Sequence, residues 1–187
     1  TAIYVWLNGT FVGYGEDGFT PNEFDITEAL HVDGDNVLTV ACYEYASASW
    51  LEDQDFWRLH GLFRSVELAA QPRVHVETVQ IEADYNPSMA AGTLNATLQL
   101  RNANDAATVK AKLRDANGTV VWESTQCANE TITLNSGALK NIAPWSAEEP
   151  TLYELTVLVV GHDGPLVEKV VQRVDFRRFR IEDGIMK

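Results

Sequence analysis

Apolar and polar residues alternate with a period of two along most of the chain, which is the pattern of half-buried β-strands. Two runs near the start, residues 3–7 and 36–45, are rich in Val, Tyr, Trp and Leu. Asn8-Gly9 follows the first run and precedes Phe11-Val12-Gly13-Tyr14, an order that predicts a β-hairpin. Residues 26–30 predict one short helical turn, capped by Asp25 or Thr27. A further strand is predicted at residues 65–68, before the linker-like stretch at 71–73.

A second series of strands follows this linker, and each of its apolar runs keeps to one face of a strand. The runs are Val74/Val76, Leu94/Ala96/Leu98/Leu100, Val109/Ala111/Leu113, Ile132/Leu134, Tyr153/Leu155/Val157/Val159 and Val167/Val171. Turn residues separate them, among them Asn117-Gly118 and Asp163-Gly164. Roughly seven short strands in about a hundred residues, without a helical stretch, are typical of an immunoglobulin-like β-sandwich.

Composition and charge exclude several classes of partner. The chain has 187 residues, of which 45% are hydrophobic, so it can bury a core without disulfides. Its net charge of −13 argues against binding to nucleic acid or to anionic membranes, since both need clustered Lys and Arg. Of the two cysteines, Cys42 shares its strand face with Leu38 and Val40 and is predicted to be a core thiol, while Cys127 lies in a polar stretch. Two separate thiols favour a reducing compartment, and we expect a cytoplasmic protein.

No catalytic constellation is visible in the sequence. The four histidines are scattered, and neither a Gly-rich phosphate loop nor a Gly-x-Ser-x-Gly motif occurs. Retaining glycoside hydrolysis needs two carboxylates about 5–5.5 Å apart, and the paired acids here lie in turn contexts. The sequence therefore predicts no catalytic residue.

One segment stands out: Trp50-Leu51-Glu52-Asp53-Gln54-Asp55-Phe56-Trp57-Arg58. Carboxylates beside large aromatics suit carbohydrate recognition, because rings cover the C–H face of a sugar and carboxylates accept its hydroxyl protons. A hard cation such as Na⁺ also takes carboxylate oxygen. The alternative is an acidic loop tied down by Arg58 or Arg64, with the tryptophans filling a seam between domains. On spacing alone, the acidic loop is the favoured interpretation and carbohydrate recognition is the alternative.

Several motifs resemble glycoside hydrolase family 2. Three motifs resemble the sugar-binding jelly roll of this family: Val5-Trp6-Leu7-Asn8-Gly9, Val12-Gly13-Tyr14 and Glu23-Phe24-Asp25-Ile26-Thr27. Two further motifs resemble the form of this domain in β-galactosidases of the lactose-operon type: Leu51-Glu52-Asp53-Gln54-Asp55-Phe56-Trp57-Arg58 and Gly61-Leu62-Phe63-Arg64. Two motifs resemble the immunoglobulin-like second domain of the family: Trp145-Ser146-Ala147-Glu148-Glu149-Pro150 and Val174-Asp175-Phe176-Arg177. The last motif, Ile181-Glu182-Asp183-Gly184, resembles the lead-in to its catalytic barrel. Residues 80–140 match only in pattern.

The resemblance implies roles for particular residues. In such galactosidases the second Asp of the Leu-Glu-Asp-Gln-Asp run contacts galactose hydroxyls and helps to hold Na⁺, and here that residue is Asp55. The catalytic glutamates belong to the barrel, which we expect to be absent together with the N-terminal half of the jelly roll. No cofactor is implied for this stretch, and Na⁺ and Mg²⁺ are implied for the parent enzyme. Asp175 departs from the Gly that the family commonly places before Phe-Arg.

These observations predict an all-β chain: a partial jelly roll of the galactose-binding kind at residues 1–72, an immunoglobulin-like β-sandwich at 73–180, and a lead-in to the barrel at 181–187. The predicted function is that of a non-catalytic fragment of a retaining β-galactosidase, whose partners are a β-galactoside and the missing barrel, with neither nucleic acid nor membrane. A second copy of the chain is a further partner that we consider, which would make a homo-oligomer. Two alternatives remain, a β-glucuronidase or β-mannosidase fragment and a free-standing carbohydrate-binding module.

Overall fold

A computed structural model describes residues 1–51 and 60–186 of the chain. It divides the chain into two compact units, Thr1–Ala69 and Ala70–Lys187. In the described residues the regular structure is β-strand apart from three short 3₁₀ turns, so the predicted all-β class is confirmed.

The first unit contains a three-stranded antiparallel sheet. Its strands are β1 (Ala2–Leu7), β2 (Thr10–Gly15) and β3 (Leu38–Tyr43), in the order β2-β1-β3. The predicted hairpin joins β1 to β2, with Asn8 at φ 53° and Gly9 at φ 79°, the positive values that this turn requires. Asn8 also fixes the chain beyond the turn, because its side chain donates to the carbonyl of Ala29 at 2.9 Å and accepts from the amide of Val37 at 2.9 Å.

The predicted helical turn is a 3₁₀ turn at Thr27–Ala29. The carboxylate of Asp25 accepts a hydrogen bond from the amide of Thr27 at 2.9 Å, so Asp25 satisfies one of the free amides at the start of the turn. The hydrogen bond from the Asn8 side chain to the carbonyl of Ala29 then holds this turn beside the β1–β2 connection.

The prediction that Cys42 lies in the core is wrong. Val5 and Leu7, on the central strand β1, are buried, whereas Cys42 is exposed and Leu38 is 47% exposed. The cause is the position of β3 at the edge of the sheet, where one flank of each side chain is left without a neighbouring strand.

The strand predicted at residues 65–68 is also absent. Val66 and Leu68 alternate with polar residues, but they are 61% and 79% exposed and pair with no strand in the part of the chain that the structure describes. Alternation alone does not make a strand, because its amides and carbonyls need a neighbouring backbone.

The second unit is the predicted immunoglobulin-like β-sandwich. Its seven strands are β4 (His75–Asn86), β5 (Ala91–Arg101), β6 (Ala106–Arg114), β7 (Val120–Cys127), β8 (Thr131–Lys140), β9 (Tyr153–Gly161) and β10 (Leu166–Val174). A three-stranded sheet has the order β4-β5-β8 and a four-stranded sheet the order β10-β9-β6-β7. All pairings are antiparallel.

The core of this sandwich follows the predicted alternation in four strands. Its buried side chains include Leu94, Ala96, Leu98, Leu100, Val109, Ala111, Leu113, Ile132, Leu134, Leu155, Val157 and Val159. Val171 does not follow the prediction and is exposed. Val167 packs against the core as predicted, but a register shift between Leu166 and Glu168 changes the parity of β10, so that Val170 packs there in place of Val171.

Two short strands, β11 (Ile181–Glu182) and β12 (Ile185–Met186), pair beyond the sandwich. Asp183 and Gly184 connect them with φ of 54° and 74°, which again makes a tight hairpin turn.

Candidate functional site

Asp55, the substrate-binding and Na⁺-binding residue implied by the resemblance, lies outside the described residues, as does Asp53. The alternative loop anchored by Arg58 falls on the same segment, residues 52–59. The described residues nearest to it in the sequence are those that precede and follow this segment.

Glu16 binds the backbone that precedes the segment. One oxygen of its carboxylate accepts hydrogen bonds from the amide of Ser47, at 3.0 Å, and from the Ser47 hydroxyl. The other oxygen accepts from the hydroxyl of Tyr14, near the end of β2. Since Glu16 and Ser47 are 31 positions apart, the carboxylate joins two segments that are distant in the chain.

These hydrogen bonds shift the pKa values of Glu16 and Tyr14 in opposite directions. The Ser47 hydroxyl, and after it the Tyr14 hydroxyl, hold the pKa of Glu16 below its ordinary value. The Glu16 carboxylate in turn raises the pKa of Tyr14 to about 12, because the hydrogen bond that it accepts from the Tyr14 hydroxyl stabilises the neutral phenol. The pair thus consists of an ionised carboxylate and a protonated phenol at neutral pH.

A 3₁₀ turn at Ser47–Trp50 follows directly. The hydroxyl of Ser49 accepts from the amide of Ala46 at 2.8 Å, and the amide of Leu51 donates to the carbonyl of Ala48 at 2.9 Å. Trp50 is 90% exposed. The backbone that precedes the segment is therefore ordered by its own hydrogen bonds, while its largest apolar side chain points to solvent.

His60 follows the segment and lies beside residues that precede it. Its Nε2 is 3.1 Å from a carboxylate oxygen of Glu44, and its ring lies 6.3 Å from that of Tyr45. These contacts bring His60 beside Glu44 and Tyr45, on either side of residues 52–59 in the sequence.

A metal site needs several ligating side chains close together. In residues 1–51 and 60–186, His, Cys, Asp and Glu side chains do not form a group of three or more able to hold an ion. The carboxylate of Glu16 is already occupied by donors from Ser47 and Tyr14. No helix in the same residues has the length and apolarity needed to cross a membrane.

Comparison with known families matches both units. Residues 1–72 match the family described as "Glycosyl hydrolases family 2, sugar binding domain", and residues 74–177 match "Glycosyl hydrolases family 2". The chain belongs to glycosyl hydrolase family 2. The predicted resemblance is thus confirmed at the level of the family.

Curated relatives of the chain include proteins named as β-galactosidases. Over its whole length the chain is 66% identical to "Beta-galactosidase BgaC" of Bifidobacterium adolescentis and 48% identical to "Beta-galactosidase" of Streptococcus thermophilus. It covers 19% and 18% of those proteins. The chain therefore spans about a fifth of the length of the curated relatives it matches.

Similar solved structures include β-glucuronidases. "FMN-binding beta-glucuronidase" from Facaelibacterium prausnitzii L2-6 superposes with a TM-score of 0.83 at 23% identity, over 96% of this chain and 28% of that one. The β-glucuronidase of Parabacteroides merdae gives 0.82 at 23% identity, over 97% and 25%. At this identity the likeness shows the fold alone.

The family 2 sequence did not by itself point to Glu16 or Ser47. Residues 15–22 read as a loop because of their Gly and Pro content. One signal was available, since Tyr14 and Glu16 are two positions apart and an extended backbone places both on one side. The contact with Ser47 has no local signal, because it depends on how β2 and β3 pair with β1.

Proposed function

We propose that this chain forms the sugar-binding and immunoglobulin-like parts of a retaining β-galactosidase that hydrolyses terminal β-galactosides. The observation that carries the proposal is the 66% identity, over the whole chain, to a protein named as a β-galactosidase. In such an enzyme the two reacting carboxylates would lie elsewhere, and this stretch would supply scaffold and one carboxylate that faces the substrate.

Asp55 is the residue to which we assign that carboxylate. Its oxygens would accept hydrogen bonds from galactose hydroxyls, and a carboxylate is also the oxygen ligand that Na⁺ takes. A bound Na⁺ would supply positive charge that fixes the carboxylate and the sugar hydroxyls in one arrangement. Mg²⁺, a cytoplasmic location and assembly as a homo-oligomer stay predictions for the full-length protein.

The alternative of a β-glucuronidase has one observation in its favour, the similar fold of the β-glucuronidase structures. Their 23% identity is far below the 66% shared with the β-galactosidase, so we favour the galactoside as substrate. A panel of chromogenic β-galactoside, β-glucuronide and β-mannoside, given to the full-length enzyme, distinguishes these activities. Preference for the glucuronide would overturn the proposal.

Replacement of Asp55 in the full-length enzyme tests its assignment. Asp55→Ala removes hydrogen bonds to a charged acceptor, each worth about 1.5–3 kcal/mol, so kcat/KM for a β-galactoside should fall at least about tenfold. The Na⁺ concentration for half-maximal activity should rise as well. Asp53→Ala is the matched control, because it removes a carboxylate two positions away with no assigned contact. Equal kinetics of Asp55→Ala and the unmodified enzyme would contradict the assignment.

A further inference from the structure

Two turns of the chain contain an asparagine followed by a glycine: Asn8-Gly9 between β1 and β2, and Asn117-Gly118 between β6 and β7. Such a pair is open to a reaction of the chain with itself, because glycine has no side chain to keep its amide nitrogen away from the side-chain carbonyl carbon of the asparagine. The reaction requires this carbon to reach the nitrogen. Whether each asparagine side chain can rotate therefore distinguishes the two turns.

The side chain of Asn8 is held by residues that are distant in the sequence. Its amide nitrogen donates to the carbonyl of Ala29 at 2.9 Å and to the side-chain oxygen of Asn36 at 2.8 Å, so both of its N–H groups are used. Its oxygen accepts a hydrogen bond from the amide of Val37 at 2.9 Å. Rotation of the side chain toward Gly9 would have to break these hydrogen bonds together.

The side chain of Asn117 is not restrained in this way. It is exposed, and no hydrogen bond reaches its side-chain amide from the part of the chain that the structure describes. The turn is ordered through its backbone instead, because the carboxylate of Asp115 accepts from the amides of Asn117 at 2.9 Å and Thr119 at 2.8 Å. The amide of Gly118 donates to the carbonyl of Asp115 at 3.0 Å, a hydrogen bond of an exposed turn that opens at small cost.

We propose that Asn117 is a site of spontaneous deamidation and that the fold protects Asn8 from the same reaction. The Gly118 nitrogen loses its proton to a solvent base and bonds to the side-chain carbonyl carbon of Asn117. The bond from that carbon to the side-chain nitrogen then breaks and releases ammonia. Water opens the resulting cyclic imide at either carbonyl, which leaves aspartate or isoaspartate. Both add a negative charge to a chain of net charge −13, and isoaspartate also lengthens the backbone between β6 and β7.

The test incubates the 187-residue chain at mildly alkaline pH, both folded and in denaturant, and follows the two asparagines by peptide mapping with mass spectrometry. In denaturant the two sites should react at similar rates, because the reacting residues are the same. In the folded chain, Asn8 should react at least about tenfold more slowly than in denaturant, whereas Asn117 should stay within about threefold of its denatured rate. Isoaspartate in the Asn117 peptide, detected with an isoaspartyl methyltransferase, identifies the cyclic imide as the intermediate.

Two variants serve as controls. Asn117→Gln should abolish the modification in this turn, because the longer side chain would have to close a larger ring. Asn36→Ala removes one partner of the Asn8 side chain, so it should speed deamidation at Asn8 and leave the rate at Asn117 unchanged. If Asn36→Ala does not fold, the comparison of the unmodified chain in its folded and denatured states still decides. Protection of Asn117 equal to that of Asn8, or reaction of folded Asn8 at its denatured rate, would overturn the inference.

Discussion

Phe176 is fully buried and packs closely against its neighbours in the core of the second unit. Its ring meets that of Tyr153 edge-on, with centroids 5.1 Å apart. The hydroxyl of Tyr153 accepts a hydrogen bond from the amide of Ala143 at 2.9 Å, so its one polar atom is satisfied although the side chain is buried. Gly92 lies beneath this pair, and a Cβ placed there would be 2.7 Å from the ring of Phe176 and 3.0 Å from Ile142. Only glycine fits at position 92 without displacement of the ring.

We expect Gly92→Ala to destabilise the second unit. The added methyl overpacks the end of the core, a change that costs about 1–3 kcal/mol in the free energy of unfolding. Gly161→Ala is the control, because its Cβ would meet Pro165 and Val167 at an ordinary 3.5 Å in the same unit. Chemical denaturation of each variant chain, followed by circular dichroism, measures its free energy of unfolding. Equal midpoints for the two variants would show that Phe176 has room to move.

At the scale of elements, the segment after β10 is tied to β4 by an ion pair. The guanidinium of Arg178 donates to both carboxylate oxygens of Asp84, at 2.8 and 3.3 Å. Arg178 thereby holds the pKa of Asp84 below its ordinary value of 3.8. Arg177, next to it, stacks over Trp145 at 5.1 Å and pairs with Asp175 at 3.1 Å. Asp175, which departs from the family pattern, therefore has a partner within its own segment.

The pair predicts a dependence of stability on pH. The folded-state pKa of Asp84 lies below the unfolded one, so its contribution is complete above the unfolded pKa and is lost as pH falls through the folded pKa. Both side chains are partly exposed, which limits the contribution to less than about 1 kcal/mol. Asp84→Asn should therefore lower the free energy of unfolding at pH 7 and converge with the unmodified chain at the lowest pH. A constant difference at all pH values would contradict this account.

Prediction from sequence succeeded where residues specify structure locally. The Asn8-Gly9 turn and the inward residues of β5, β6 and β9 depend only on near neighbours, and all were predicted. It failed where the outcome depends on which strands pair. Cys42 is exposed because β3 is an edge strand, and Val171 points outward because of the shift in β10. Residues 65–68 have the right pattern but lack a partner among the described residues.

Less of the candidate site than of the fold could be predicted from the sequence. Asp55 stays a prediction, because the structure does not describe it. The contact of Glu16 with Ser47 was missed, since a hydrogen bond between residues 31 positions apart follows from the sheet and not from any local pattern. The pairing of Glu44 with His60 was missed for the same reason.

At the scale of the whole chain, the two units differ in how much core they contain. The second unit buries side chains from both of its sheets. In the first unit, the described residues that are both apolar and buried are Ala2, Val5 and Leu7, and both outer strands of its sheet have open edges. Open edges and exposed apolar side chains favour aggregation.

Residues 73–180 expressed alone should therefore be soluble and unfold cooperatively, whereas residues 1–72 alone should aggregate or stay unfolded. Solution NMR of each piece at several concentrations makes the comparison. Dispersed, concentration-independent spectra from residues 1–72 would show that the first unit is a complete domain.

The intact 187-residue chain should hydrolyse no β-galactoside, because our proposal places both reacting carboxylates outside it. A chromogenic galactoside, assayed with chain purified from a host that lacks β-galactosidase, gives the measurement. Turnover that copurifies with the chain would require catalytic residues that we have not assigned.

The strand order of the second unit delays the completion of its sheets during synthesis on the ribosome. β5 pairs with β8, and β6 pairs with β9, so neither sheet is complete until strands distant in the sequence are present. A ribosome adds about 5–20 residues per second, so roughly 3–12 s separate the completion of β5 from that of β9. During that interval neither sheet has all its strands, so the inner faces of the β4–β5 and β6–β7 hairpins are only partly covered. This unit is therefore exposed to chaperones and proteases for seconds in each round of synthesis, however stable it becomes once β9 is inserted.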